Sequence, residues 1–162
     1  MELRIKIKPI HPFILEAIDV VPERVSLITI GAKNLPALRS FYQKLGWSEL
    51  EISSDHYCVF TTAGVLLSLF PLEELIKDSG LESVETTSGF KGITFAINVD
   101  QPQQVDLVTD EVRAAGGKII REASDAFWGG RTSYFLDPEG NAWEVAWNST
   151  AEFDARGAMI RF

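Results

Sequence analysis

The sequence predicts an α+β chain made of two βαβββ modules, with helices on the outer faces of mixed sheets. Two observations carry this. Two stretches repeat one order of elements (strand, capped helix, three strands), and a glycine precedes the last strand of each, Gly64 and Gly140. Within several strands, bulky apolar residues alternate with small ones, the period of two that separates a covered sheet face from an open one.

The first module begins with strand 25–31, VSLITIG. Asn34 is the expected cap of a helix over 35–45. Pro36 stands in its first turn, Leu35, Leu38, Phe41, Tyr42 and Leu45 recur at helical spacing, and Gly46 stops it. Strands are expected near 47–52, 56–62 and 65–70. Residues 71–90 form a linker, with a short amphipathic helix (PLEELIKD) followed by a polar segment, SGLESVETTSG, expected to be mobile. The second module opens with strand 92–98, GITFAIN. Asp100 with Gln103 reads as a capping box for a helix over 102–115, whose stripe is Val105, Val108, Val112 and Ala115. Gly116 and Gly117 end it. Strands near 118–122, 131–136 and 141–147 complete the repeat.

The expected organisation is an N-terminal extension 1–23, a paired-module domain 24–148 (modules about 24–70 and 91–148, linker 71–90) and a tail 149–162. Ile5, Ile7, Phe13, Ile14 and Leu15 make the extension too apolar for a free arm, so it is expected to pack on the domain or on a second subunit.

Composition narrows the function. The chain has 162 residues, 46% hydrophobic and 23% charged, enough for one core. Its net charge of −8 argues against nucleic acid or an anionic membrane as partner. No run approaches the roughly 18–20 apolar residues that span a bilayer, and the N-terminus lacks signal-peptide organisation. The expected compartment is the cytoplasm. Cys58 is the single cysteine, which excludes an internal disulfide and a cysteine metal cluster.

The most informative segment is FWGGRTSYFLDPEGNAWEVAWN, residues 127–148: a hairpin whose second strand carries one acid, Glu144, among apolar residues. A carboxylate on a sheet face requires a partner. Trp143, Val145 and Trp147 form the bulky set of that strand, and Ile93, Phe95 and Ile97 that of strand 92–98. The opposite sets, Ala142, Glu144, Ala146 and Gly92, Thr94, Ala96, are small. With Leu27, Thr29, Leu66, Ser68 and Phe70 they are expected to line a pocket around the acid. Phe127 and Trp128 offer a stacking surface for a planar ligand. Arg131 is expected to pair with Glu144 or with a surface acid.

The doubled module, NLPALRSFYQKLGW (34–47) and DPEGNAWEVAW (137–147) together resemble the vicinal oxygen chelate superfamily of glyoxalases, bleomycin-resistance proteins, extradiol dioxygenases and fosfomycin-resistance enzymes. The resemblance covers about residues 24–148. It implies sheets that curl around a cup, a homodimer, and in many members a divalent metal held by His, Gln or Glu on the first and last strands of each module. Those positions here are Leu27, Ser68, Gly92 and Glu144, of which only the last is a ligand type. About three protein ligands are needed, and His11 and His56 lie elsewhere. No metal and no cofactor are therefore expected. The pattern Trp128-Gly129-x-Arg131 is similar to that of the bleomycin-resistance members, which bind a cationic aromatic drug without metal.

The expected function is metal-independent binding of a small organic molecule, cationic or aromatic, near Glu144, with Ser68, Thr94, Phe127, Trp128 and Arg131 as candidate ligand-binding residues. Two alternatives are a lyase or isomerase with Glu144 as general base, and a structural dimer whose cup is filled by its own side chains.

Overall fold

The computed structural model describes residues 25–80 and 89–161. Chain order is β1 (Leu27–Ala32), α1 (Leu35–Lys44), β2 (Cys58–Phe60), β3 (Leu66–Pro71) and α2 (Leu72–Ser79). Then come β4 (Thr94–Asn98), α3 (Pro102–Ala115), β5 (Lys118–Asp125), β6 (Arg131–Leu136), β7 (Ala142–Trp147), β8 (Glu152–Phe153) and β9 (Met159–Arg161). The first sheet has strand order β1-β3-β2 and the second β4-β7-β6-β5. In each, the module's first strand runs parallel to its last, β1 with β3 and β4 with β7. Among the described residues, no helix is long and apolar enough to cross a membrane.

Both long helices form for the reasons legible in the chain. The Asn34 side chain accepts from the Ala37 N–H at 3.1 Å, and Leu35, Leu38, Phe41 and Tyr42 are buried. Helix α3 buries Val105, Thr109, Val112 and Ala115 against the second sheet. Its cap differs from the expectation by one residue. Pro102 takes the first helical position, so Gln101 is the cap, and the Gln104 side chain accepts from the Gln101 N–H at 2.7 Å.

The strand expected near 47–52 is absent. Glu49 makes only an isolated bridge to Phe60, because its carboxylate is tied to Arg39 at 2.7 and 2.8 Å and to Gln43. That tie draws the segment toward α1 instead of into a ladder. The neighbouring strand shortens to Cys58–Phe60, whereas β5 runs on to Asp125 across two pairing irregularities. Ile93, expected on the covered face, precedes β4 and is exposed. The tail is not featureless: β8 and β9 form a hairpin. Most of the 79–89 segment (81–88) and residues 1–24, which include the whole N-terminal extension (1–23), lie outside the described residues.

One core serves both modules, joining Ile30, Leu38 and Leu69 of the first to Val105, Val112 and Val145 of the second. An aromatic cluster crosses the same boundary. Trp47 and Trp143 each lie against Tyr42, with ring centres 5.1 and 5.9 Å away. Asp137 latches the boundary. This buried carboxylate accepts from the Tyr42 hydroxyl at 2.7 Å, from the Asn141 amide at 2.8 Å and from the backbone N–H groups of Glu139 and Asn141. Glu139 in turn accepts from the Asn34 N–H at 2.6 Å. The DPEGN turn is thus a structural dock for the start and middle of α1.

Candidate functional site

Alternation along β6 and β7 divides the second sheet. Ser133, Phe135, Trp143 and Val145 are buried on the α3 side, where the Ser133 hydroxyl meets that of Thr109 at 2.6 Å. Tyr134, Ala142 and Glu144 point the other way and stay partly exposed. The tight turn fixes the register, so Tyr134 stands directly opposite Glu144. The Tyr134 hydroxyl donates to Glu144 Oε1 at 2.7 Å. Among the described residues, Tyr134 is the only hydrogen-bond partner of that carboxylate. This bond, then partial burial, raises the Tyr134 pKa, which keeps the phenol protonated and donating.

On its other side Glu144 faces Ala96 of β4. Strand β4 is an edge strand, and beyond it lies a cleft of about 690 Å³ between the two sheets. Ile28 and Leu67 line the cleft from the first sheet, and Trp47 and Trp143 also contribute. Residues from both faces of β4 line it, Thr94 and Ala96 with Phe95 and Ile97, so the cleft follows the strand's unpaired edge. Ala96, the cross-strand partner of Glu144, lines it.

Thr94 therefore sits at the cleft, one strand from Glu144. The other expected residues do not converge there. Ser68 is fully buried in the first sheet, its hydroxyl 2.7 Å from that of Thr29. Arg131 lies on the α3 side, held by Asp106 at 2.6 and 2.7 Å and by Asp125 at 2.8 Å. Of the alternatives open for it, the surface acids hold and Glu144 does not. These contacts raise the Arg131 pKa and lower that of Asp106. Phe127 is fully exposed at the tip of the β5–β6 turn. Trp128 folds back over Gly130, where an added Cβ would collide with its ring.

Two residues were missed. Tyr134 was readable by counting outward from the turn, since Leu136 pairs with Ala142 and Tyr134 with Glu144. Arg121 pairs with Tyr134 across a bulge, which no residue pattern announced.

A divalent metal does not fit this donor set. Among the described residues no group of three or more His, Cys, Asp or Glu is placed to hold one. The row equivalent to Ala96 and Glu144 in the first sheet is Thr29 and Ser68, two hydroxyls bonded to each other.

A buried group near the cleft is also unsatisfied. Among the described residues Trp143 Nε1 has no hydrogen-bond partner, although it lies near enough to the Tyr42 hydroxyl to pull that phenol's pKa downward. Burial and the Asp137 charge outweigh this pull, and the Tyr42 pKa stands well above its ordinary value.

Known structures share this architecture. A glyoxalase-related enzyme from Fulvimarina pelagi superposes with a TM-score of 0.78 at 28% identity, covering 85% of this chain and 97% of its own. A glyoxalase/bleomycin resistance protein/dioxygenase family enzyme from Burkholderia phytofirmans PsJN gives 0.70 at 25% identity, over 76% and 98%. A lactoylglutathione lyase from Agrobacterium tumefaciens shares the fold, with a TM-score of 0.61 at 21% identity over 79% and 96%. No curated protein matches the chain by sequence. The family model of the Glyoxalase/Bleomycin resistance protein/Dioxygenase superfamily matches residues 24–145, and the chain belongs to that superfamily.

Proposed function

We infer that this protein is a metal-independent binder of a small organic molecule. The ligand's apolar body lies in the cleft along β4, and a cationic or hydrogen-bond-donating group reaches over Ala96 to Glu144. One observation carries the reading: a carboxylate on the open sheet face has, among the described residues, a single hydroxyl partner and stands one strand from a mainly apolar cleft. The second Glu144 oxygen is left to accept a charge-assisted hydrogen bond.

Titration with thioflavin T, a planar monocation, followed by calorimetry tests this. Saturable binding is expected, weakened about tenfold by Glu144→Gln. Equal affinity of the two proteins overturns the reading. Equilibrium dialysis against zinc, nickel or manganese is expected to leave no stoichiometric metal, and a retained equivalent removable by chelator would contradict metal independence.

The same reading includes a homodimer. Its support is the outer edges of β1 and β4, unpaired among the described residues, together with the exposed apolar residues Leu27, Phe90 and Ile93. Sedimentation is expected to give twice the chain mass of 18.0 kDa; a single 18.0 kDa species rejects it.

A further inference from the structure

The open face of the second sheet carries a second charge that the family fold does not explain. Six arginines fall within the described residues, and five of them hold carboxylates: Arg39, Arg113, Arg131, Arg156 and Arg161. Arg121 does not. Its side chain makes one long contact, 3.3 Å, to the Ser124 hydroxyl. In a chain with 23 acids this is a conspicuous omission, because acids surround most other guanidinium groups.

Its place in the sheet gives the omission meaning. Arg121 of β5 pairs with Tyr134 of β6, which pairs with Glu144 of β7, which pairs with Ala96 of β4. Cross-strand partners share a face, so these side chains form one row on the open side. Arg121 is near enough for its charge to draw the Tyr134 pKa downward, against the larger upward effect of Glu144. Tyr134 stands between the two charges and occupies one oxygen of the acid. The row reads, in order, apolar cleft, carboxylate, phenol, guanidinium.

We propose that the Glu144–Tyr134–Arg121 row is a two-ended site for a zwitterion, with the ligand's cation on Glu144, its anion on Arg121 and its apolar group in the cleft. The inference rests on the binding function argued above and names its ligand class. Neighbouring strands are about 4.8 Å apart, which puts the outer Cα positions of the row roughly 10 Å from each other. An extended two-residue molecule spans about 7 Å between its ends. The side chains at the two ends reach inward and shorten the gap, and a dipeptide-sized zwitterion with an aromatic group beside its amine matches the order of the row.

The probe is L-phenylalanylglycine, compared with its C-terminal amide, which lacks the anion, and its N-acetyl form, which lacks the cation. Binding is read by calorimetry and by shifts of the Arg121 and Glu144 backbone amides. The zwitterion is expected to bind more tightly than either capped form. Arg121→Ala is expected to weaken the zwitterion roughly three- to fivefold, in the range of an exposed charge pair, and to leave the amide unchanged. Arg121→Lys should retain part of the preference. Glu144→Gln should abolish the gap between the free amine and the N-acetyl form.

If the amide binds as well as the acid while still depending on Glu144, the two-ended site is rejected and the Glu144 binding site stands. If no form binds while thioflavin T still binds in a Glu144-dependent way, the two-ended site is rejected and the Glu144 reading stands. Equal gaps in wild type and Arg121→Ala also reject it, since the anion would then be held elsewhere.

Discussion

Cys58 shows how burial sets the chemistry of one residue. Its side chain is fully buried in β2, and desolvation pushes its thiol up to about 11. Only the thiolate attacks a disulfide reagent. The native protein is therefore expected to show negligible reaction with Ellman's reagent at pH 8, and full reaction in denaturant. Rapid native reaction would show that β2 opens. At Tyr42, loss of the hydroxyl removes a hydrogen bond to a buried charge. Tyr42→Phe is expected to cost about 2 kcal/mol in urea unfolding. A cost near zero would mean that Asn141 and the turn amides satisfy Asp137 without it. At this scale the sequence exposed Glu144, because an acid among apolar residues is visible by composition alone. It hid Arg131's partners, because Asp106 and Asp125 come from a helix and a strand that only the fold brings together.

Among the elements, α1 and α3 were legible because caps, apolar spacing and terminal glycines all agree. The segment 47–52 was not, because its pattern of apolar residues suits a strand while the Glu49–Arg39 ion pair sends it elsewhere. The α1 cap can be tested directly. Asn34→Ala removes the side-chain bond to Ala37 but keeps the backbone bond to Glu139, so a loss of about 1 kcal/mol is expected in thermal or urea unfolding. A much larger loss would show that the docking of the DPEGN turn depends on the cap. The β5–β6 turn has its own requirement. A methyl group at Gly130 collides with the Trp128 ring and approaches the Trp147 carbonyl at 2.5 Å. Gly130→Ala is expected to expel the ring, read as a red shift in tryptophan emission. An unchanged spectrum would mean that the turn can relax around the methyl.

For the whole molecule, the duplicated order of elements was readable, but the way the modules share one core was not. Sequence periodicity reports which face of an element is apolar, not which neighbour covers it. The shared boundary also predicts a pH response. The folded state binds the Tyr42 proton more tightly than the unfolded chain does, because burial and Asp137 raise its pKa. This contribution is fully present below the unfolded value of about 10 and is lost as pH rises above it. Stability measured by urea is expected to fall as pH rises past about 10, and less steeply in Tyr42→Phe. Parallel curves for the two proteins would remove Tyr42 from the account. The Tyr42–Asp137 bond spans 95 residues and the Asn34–Glu139 bond 105. During synthesis from the N-terminus, α1 emerges long before the turn that receives it, and its phenol lacks the Asp137 acceptor until the β6–β7 hairpin follows. The nascent first module is therefore without these two contacts until the second module has been made.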